Sequence, residues 1–222
     1  MAIVRTSFTE IGHNKKLGPT MEGDKKQESV SIYHDLDEYE LHGWKPETTL
    51  SFDDNMMDVV MLVTRNSTCQ QGSMACILVN PPTMDDQICE ETIKSSIISV
   101  AINRSLYQEG RSDIHAEISA LGSACRQGTK TEGCSVYITM PPCKNCFGAL
   151  VTAGVKRIVT RLKCLEPVLG AANKHGIELV VLDKGEERMA RINQLIYGNP
   201  RGAKREAPAT EDQDQGKKTK SS

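Results

Sequence analysis

Short apolar runs and amphipathic stretches alternate along the chain between positions 54 and 197. Five runs have the length, alternation and bounding Gly or Pro residues that predict β-strands, and they cover residues 73–79, 97–103, 134–140, 157–160 and 177–182. Five stretches repeat apolar residues at the helical interval and predict helices over residues 54–65, 114–127, 143–153, 164–175 and 186–197. The last three strands alternate with helices, which predicts a parallel edge with right-handed crossovers. The pattern therefore indicates an α/β protein.

The helix predicted over residues 114–127 has an apolar stripe of large residues. Its members, which we expect to be buried, are Ile114, Ile118, Leu121 and Cys125. Ser112 or Asp113 is expected to cap the first turn, and Gly128 is a suitable stop. The pattern predicts that this helix packs on the sheet through its large side chains.

The two ends of the chain lack this periodicity. Residues 1–52 are polar, with scattered Gly, Lys and Glu, so we expect a mostly flexible N-terminal extension. Within it, a short element that packs on the domain is expected from Ile32, Tyr33, Leu36, Tyr39, Leu41 and Trp44. Residues 53–197 form the predicted domain. Residues 198–222 are rich in Pro, Gly, Lys, Asp and Gln and are predicted to be a disordered tail.

Composition narrows the class of protein. Of the 222 residues, 38% are hydrophobic and 25% are charged, which fits one domain with tails. No apolar run approaches the roughly 18 residues of a membrane span, and the amino terminus has no apolar signal core. We therefore expect an intracellular protein, cytoplasmic in the first instance, with a nuclear location left open. A net charge of −2 and 4% aromatic residues give no broad cationic footprint for nucleic acid, which favours a small substrate.

Two groups of potential metal ligands open two of the predicted helices. The first reads D-I-H-A-E and places His115 two residues before Glu117; the second reads P-P-C-K-N-C and contains Cys143 and Cys146. Cysteines three residues apart share a helix face, and the first turn of a helix favours the thiolate. One imidazole and two thiolates predict a zinc site with its fourth position open, as in catalytic zinc sites.

Glu117 completes the predicted chemistry. Zinc lowers the pKa of a bound water to about 7, but the protons of that water still need a carrier. A carboxylate beside the metal can accept a proton and pass it to a leaving amine. Glu117 is therefore the predicted general acid and base.

The combination of H-x-E with P-C-x-x-C is the signature of zinc deaminases. On these motifs the chain resembles the cytidine deaminase-like superfamily over residues 55–183, and especially the deoxycytidylate (CMP/dCMP-type) deaminases. The resemblance implies a three-layer α/β/α fold, with a five-stranded mixed sheet flanked by helices, and one zinc ion per chain. It also implies a hydrolase that replaces the exocyclic amine of a cytosine nucleotide, dCMP first, with a carbonyl.

The resemblance also implies substrate contacts. Asn103 would bind the sugar hydroxyl, although its A-I-N-R-S context differs from the G-Y-N-G of deoxycytidylate deaminases and the W-N-R-P of tRNA adenosine deaminases. The backbone amide of Ala116 would face the base carbonyl, and the R-N-S-T-C segment resembles an R-S-T-C segment near the nucleotide. Candidates for phosphate contact are Arg65, Arg104, Arg111 and Lys144. The expected partners are a small nucleotide substrate and further copies of the chain in a homo-oligomer.

Three other functions stay open at this point. A tRNA adenosine deaminase would account for D-I-H-A-E-I-S-A-L and for the Asn-Arg pair, with tRNA as the partner. A free cytidine or cytosine deaminase would use the same catalytic residues and would not need a 5′ phosphate. A non-catalytic scaffold subunit of a deaminase complex commonly lacks the glutamate, so Glu117 counts against this function.

Overall fold

A computed structural model of the protein describes residues 35–83, 87–182 and 185–198. Of the extension predicted over residues 1–52, residues 1–34 lie outside these ranges, and so do residues 199–222 of the tail predicted over residues 198–222. In chain order the elements are a 3-10 turn at Leu36–Glu38, α1 Phe52–Thr64, β1 Ala75–Val79, α2 Glu90–Ser96, β2 Ile97–Ile102, α3 Ala116–Arg126, β3 Ser135–Ile138, α4 Lys144–Thr152, β4 Arg157–Thr160, α5 Glu166–His175, β5 Glu178–Val181 and α6 Gly185–Tyr197. All ten predicted elements are present, with ends shifted by at most two residues.

The five strands form one mixed sheet in the order β2-β1-β3-β4-β5. Strand β1 pairs antiparallel with both β2 and β3, whereas β3, β4 and β5 are parallel. The predicted parallel edge is therefore confirmed. Because β2 also runs parallel to β3, the carboxyl ends of four strands share one edge of the sheet, which we call the metal edge.

Helices cover both faces of the sheet. Val136 and Ile158 face one apolar core, which includes residues of α3, α4 and α5. Their neighbours Tyr137 and Val159 face a second core, which includes residues of α1. Successive residues of a strand point to opposite faces, so each central strand contributes to both cores. The predicted three-layer α/β/α arrangement is confirmed.

Helix α3 packs on the sheet through a different face from the one predicted. Ile118 is 42% exposed and Cys125 is exposed as well. The buried face instead carries three alanines spaced four residues apart: Ala116, Ala120 and Ala124. Small side chains let the helix approach strand β2 closely, and Ser99 Oγ donates a hydrogen bond to the Ala120 carbonyl at 3.0 Å. The prediction was wrong for Ile118 and Cys125, because it weighted large apolar residues over small ones, whereas Leu121 is partly buried and packs against this core.

Helix α2 was not predicted from the sequence. It begins at Cys89, whose sulfur accepts the Thr92 N–H, and it buries Ile93 completely. Its sequence, E-E-T-I-K-S-S, contains a single large apolar residue, so it has no stripe that periodicity could detect.

Two peripheral segments pack on α1. The residues predicted to dock before the domain do so where the structure describes them, and they are Leu36, Tyr39, Leu41 and Trp44. Helix α1 also meets α6 through a buried ion-pair cluster, in which Arg188 is bonded to Asp54 at 2.7 Å and to Asp58 at 2.9 Å.

No helix in the described residues is long and apolar enough to cross a membrane.

Candidate metal centre

The predicted metal ligands lie together at the metal edge, where α3 and α4 begin. His115 is the residue immediately before α3, and Cys143 is the residue immediately before α4. The crossover connections after β2 and β3 bring these two helix starts together, although 28 residues separate them. The site therefore lies where open α/β sheets bind their ligands, outside the carboxyl ends of strands.

The two helix starts are built differently. Cys143 caps α4, because its sulfur accepts the N–H of Cys146 at 3.4 Å. His115 begins α3 without any side-chain cap, so neither Ser112 nor Asp113 has the capping role predicted for it. The histidine and the cysteine pair thus both stand at the start of a helix, where backbone N–H groups point toward the site.

The three side chains have the spacing that a tetrahedral zinc ion requires. His115 Nδ1 lies 3.8 Å from Cys143 Sγ and 3.4 Å from Cys146 Sγ, and all three ligand atoms lie within 4.8 Å of one another. Nitrogen and sulfur ligands at ordinary zinc distances and a tetrahedral angle are about 3.6 Å apart. The residues present therefore fit a zinc ion. Among the described residues, this is the one group of three or more His, Cys, Asp or Glu side chains with such spacing.

Glu117 lies buried beside these ligands. It is 6% exposed, and it lies close enough to Cys146 for each group to shift the pKa of the other. Burial raises the pKa of Glu117. A hydrogen bond from its own backbone N–H and the nearby His115 offset this rise only in part. Burial also raises the pKa of Cys146, and the neighbouring Glu117 carboxylate raises it further. Two neighbouring buried acids ionise together only if a cation lies beside them. A divalent metal ion bound to the three ligands would be that cation.

Asn103 is buried and fully hydrogen-bonded within the chain. It is 1% exposed, and its Oδ1 accepts hydrogen bonds from Ser67 Oγ at 2.8 Å and from the Met74 N–H at 2.9 Å. Its Nδ2 donates to the Gly72 carbonyl at 2.7 Å and to Ser112 Oγ at 2.8 Å. Contact with a sugar hydroxyl would require one of these bonds to exchange, so the substrate role of Asn103 stays a prediction.

The sequence did not reveal this network. Ser67, Gly72 and Ser112 are ordinary turn formers by type, and no spacing between them signals a shared partner. Their common bond to Asn103 joins the segment after α1, the start of β1 and the approach to His115.

The other predicted contact residues also lie around this edge. Ala116 is fully buried as the first residue of α3. Of the phosphate candidates, Arg65, Arg111 and Lys144 are exposed. Arg104 is half-buried, its backbone pairs with Ile114, and its Nε has no hydrogen-bond partner in the described structure. The structure does not bring the four cations to a single point.

Comparison with known proteins places this site in a recognised group. Residues 50–162 match the family described as the cytidine and deoxycytidylate deaminase zinc-binding region. The deoxycytidylate deaminase of Enterobacteria phage T2 is 37% identical over 59 residues, which are 26% of this chain and 31% of that protein. The cytosine deaminase of Candida albicans is 30% identical over 114 residues, covering 50% of this chain and 67% of that protein. The tRNA-specific adenosine deaminase of Bacillus subtilis is 42% identical over 53 residues, which are 23% of this chain and 33% of that protein. The chain thus spans about a third of the first of these relatives.

Proposed function

Because the chain belongs to the cytidine and deoxycytidylate deaminase zinc-binding family, we propose that it is a zinc-dependent hydrolase that replaces the exocyclic amine of a cytosine nucleotide with a carbonyl. The first substrate we propose is dCMP, which would be converted to dUMP. The observation that supports the proposal is the buried carboxyl of Glu117, two residues after His115, together with three side chains whose spacing fits zinc.

In this proposal the chain's own residues hold the metal and move protons. His115, Cys143 and Cys146 would hold one zinc ion per chain, which lowers the pKa of a water molecule so that it is a nucleophile at neutral pH. Glu117 would take up the two protons of the attacking water in turn and deliver one to the ring nitrogen and one to the departing amine, which leaves as ammonia. The raised pKa of Glu117 suits this work, because a group that must both accept and donate functions best with a pKa nearer the working pH.

Substrate contacts complete the proposal. The amide of Ala116 stands at the start of α3, next to His115, where it can donate to the base carbonyl. The side chain of Asn103 donates a hydrogen bond to Ser112, which lies three residues before His115. Asn103 can exchange this bond for a hydrogen bond to the sugar hydroxyl. The named activity of the phage relative supports dCMP, and the Candida albicans and Bacillus subtilis relatives keep free cytosine and tRNA adenosine as competitors.

One assay separates these substrates. Ammonia release would be measured with the zinc-loaded full chain on dCMP, CMP, deoxycytidine, cytosine, dCTP, adenosine and a tRNA. The proposal expects the highest kcat/KM for dCMP, with a loss of at least tenfold on removing the 5′ phosphate. Turnover of tRNA or cytosine alone would contradict the substrate, and no ammonia from any of them would contradict the enzyme.

We also propose that the chain forms a homo-oligomer. The outer face of α3 supports this proposal. Ile118 is an exposed apolar residue on this face, and Gly122, four residues further along the helix, has open space above it in which another chain could pack. A mass measured by light scattering tests it, and a strictly monomeric mass at micromolar concentration would contradict it.

A further inference from the structure

The R-N-S-T-C segment contains one residue, Asn66, that the R-S-T-C pattern it resembles does not have. Two hydrogen bonds of its side chain go to a single distant residue. Asn66 Oδ1 accepts the backbone N–H of Glu40 at 3.0 Å, and Asn66 Nδ2 donates to the backbone carbonyl of Glu40 at 3.2 Å. The Asn66 carboxamide therefore joins residue 40 to the end of α1.

The same carboxamide supports the turn that follows α1. Asn66 Nδ2 also lies 3.3 Å from the carbonyl oxygens of Leu62 and Val63, in the last turn of the helix, where carbonyls lack partners four residues ahead. The N–H groups of residues 65, 66 and 67 each donate to the carbonyl three positions earlier, so α1 continues as a 3-10 turn as far as Ser67. The position of Ser67 therefore depends on the bonds of Asn66.

Ser67 in turn contacts Asn103. Its Oγ donates a hydrogen bond to Asn103 Oδ1 at 2.8 Å. The other end of the Asn103 carboxamide donates to Ser112, in the approach to the metal site. A series of hydrogen bonds, with one peptide link between Asn66 and Ser67, thus connects Glu40 to the surroundings of the metal site.

Glu40 belongs to a segment that is itself fixed on the domain. In this docked segment, residues 35–44, Leu36 is only 3% exposed, and the partly buried Tyr39 and Trp44 pack on the core that includes α1. Side chains around a site keep their geometry only when packing and hydrogen bonds hold their own partners in place. The docked segment is such a fixed partner for Asn66.

We propose that Asn66 is a positioning residue for the nucleotide pocket: it joins the docked segment to α1, fixes Ser67, and through Ser67 holds the carboxamide of Asn103. The inference rests on the proposed function, in which Asn103 binds the sugar hydroxyl, and extends it to the docked segment. An Asn103 side chain that is not held must be ordered when the nucleotide binds, which weakens binding. In the described structure no hydrogen bond joins Asn66 to Glu117 or to the three metal ligands, so the activation of water should not change.

Steady-state kinetics of the zinc-loaded full chain on dCMP separate binding from chemistry. Asn66→Ala should raise KM at least fivefold, keep kcat within twofold of wild type and keep one zinc ion per chain. Ser67→Ala should raise KM by a similar factor. Because both substitutions act on Asn103 by one route, the double variant should resemble the single variants. A rise in KM equal to the product of the two single effects, or no rise in Asn66→Ala, would overturn the inference.

The sugar hydroxyl gives a readout that general loosening of the protein would not change. dCMP has one free sugar hydroxyl, at the 3′ carbon, and 2′,3′-dideoxycytidine monophosphate lacks it. Wild type should prefer dCMP over this analogue at least tenfold in kcat/KM, and Asn66→Ala should reduce the preference at least threefold. The same preference in both proteins, or none in the wild type, would overturn the inference.

Lys94→Ala is the matched control. It removes another polar contact of the docked segment, the ion pair between Lys94 and Asp37 at 2.8 Å, and leaves the bonds of Asn66 in place. Exposed ion pairs contribute little to stability, so KM for dCMP should stay within twofold of wild type. A rise in KM as large as that of Asn66→Ala would mean that any loosening of the docked segment has this effect, and would overturn the role of Asn66.

Amide hydrogen exchange tests the positioning of Asn103 without turnover. The Met74 N–H donates to Asn103 Oδ1 at 2.9 Å, and Ile77 lies in the middle of the same strand. In Asn66→Ala, exchange at Met74 should become at least fivefold faster relative to exchange at Ile77. An unchanged ratio would overturn the inference.

The two proposals can fail separately. Turnover of dCMP by wild type, with no rise in KM in Asn66→Ala, removes the inference alone. No ammonia from any cytosine substrate, with faster exchange at Met74 in Asn66→Ala, removes the proposed function and supports the positioning of Asn103.

Discussion

The imidazole Nδ1 of His115 lies 3.4 Å from the sulfur of Cys146, across 31 positions of sequence. One comes from the start of α3 and the other from the first turn of α4, so the pair is held by the packing of two helices on one sheet face. The short separation of a nitrogen and a sulfur ligand supports a shared cation.

Zinc content should depend on His115, Cys143 and Cys146 and on no other cysteine of the chain. We expect Cys143→Ala to lower zinc from one ion per chain to less than a tenth of that, because the sulfur is a predicted ligand and also caps α4. Elemental analysis of dialysed protein measures this. Cys125→Ala, at an exposed cysteine outside the site, is the control and should keep one zinc ion. Full zinc content in Cys143→Ala would show that the metal is held elsewhere.

The face of α3 that packs on the sheet can be tested by paired substitutions. Ala120→Leu should destabilise the protein by about 1–3 kcal/mol, because Ala120 is fully buried against β2 and has no room for a larger side chain. Ile118→Gln should change the free energy of unfolding by no more than about 0.5 kcal/mol when wild type and variant are compared at a concentration at which both are monomeric. Urea unfolding of both variants checks the pair. A large effect of Ile118→Gln with none of Ala120→Leu would restore the stripe predicted from sequence.

The buried cluster between α1 and α6 should contribute to stability and leave the metal site unaffected. Arg188→Ala removes the buried cation that bonds both Asp54 and Asp58, while Arg191 keeps its bonds to Asp58, so we expect a loss of about 3–5 kcal/mol. Denaturant unfolding measures this loss, and zinc content should not change. Lys163→Ala removes an exposed ion pair with Glu166 and should cost at most about 1 kcal/mol. Equal effects of the two substitutions would contradict the burial argument.

Asp53 should make stability depend on pH in the acid range. Burial would raise the pKa of its carboxyl, but hydrogen bonds from Arg157 and Tyr137 outweigh burial and hold the pKa below its usual value. The folded state therefore binds fewer protons than the unfolded state. Its stabilisation is present above the unfolded pKa of about 3.9 and is lost as pH falls through the folded pKa.

The matched variant for this effect is Asp53→Asn, which has no carboxyl to titrate. We expect the stability advantage of the wild type over Asp53→Asn to be largest above pH 5 and to shrink below about pH 4. Unfolding experiments at pH 6, 4 and 3 measure the difference. An advantage that stays constant over this range would mean that Asp53 is not held as an anion by Arg157.

Sequence patterns singled out three side chains that the structure brings together, His115, Cys143 and Cys146, because one imidazole and two thiols at helix starts are a restrictive pattern. Periodicity also located the strands and the longer helices. It failed at α2, where Ile93 is the single large apolar residue, and at α3, where Ala120 rather than Ile118 is buried. Both failures concern how closely elements approach one another, which depends on side-chain volume across the contact and not on the pattern along the chain.

The loops show the same limit. Asp113 reads as a helix cap by type and position, yet its carboxylate faces backward and binds three amides of the preceding loop. Local propensity favoured the cap, and the tight loop that begins at Ser105 offered more donors. The exposed position of Tyr107 follows from this arrangement and could not be inferred from sequence spacing.

The central claim is that Glu117 carries the protons of a zinc-dependent deamination. The most direct measurement is ammonia release from dCMP by Glu117→Gln loaded with one zinc ion per chain, compared with wild type and with Glu132→Gln, an exposed glutamate in the loop before β3, at the opposite edge of the sheet. Glu117→Gln should keep its zinc and its folding stability and lose activity by at least about 100-fold, while Glu132→Gln should match wild type. Wild-type turnover in Glu117→Gln at full zinc content would contradict the claim.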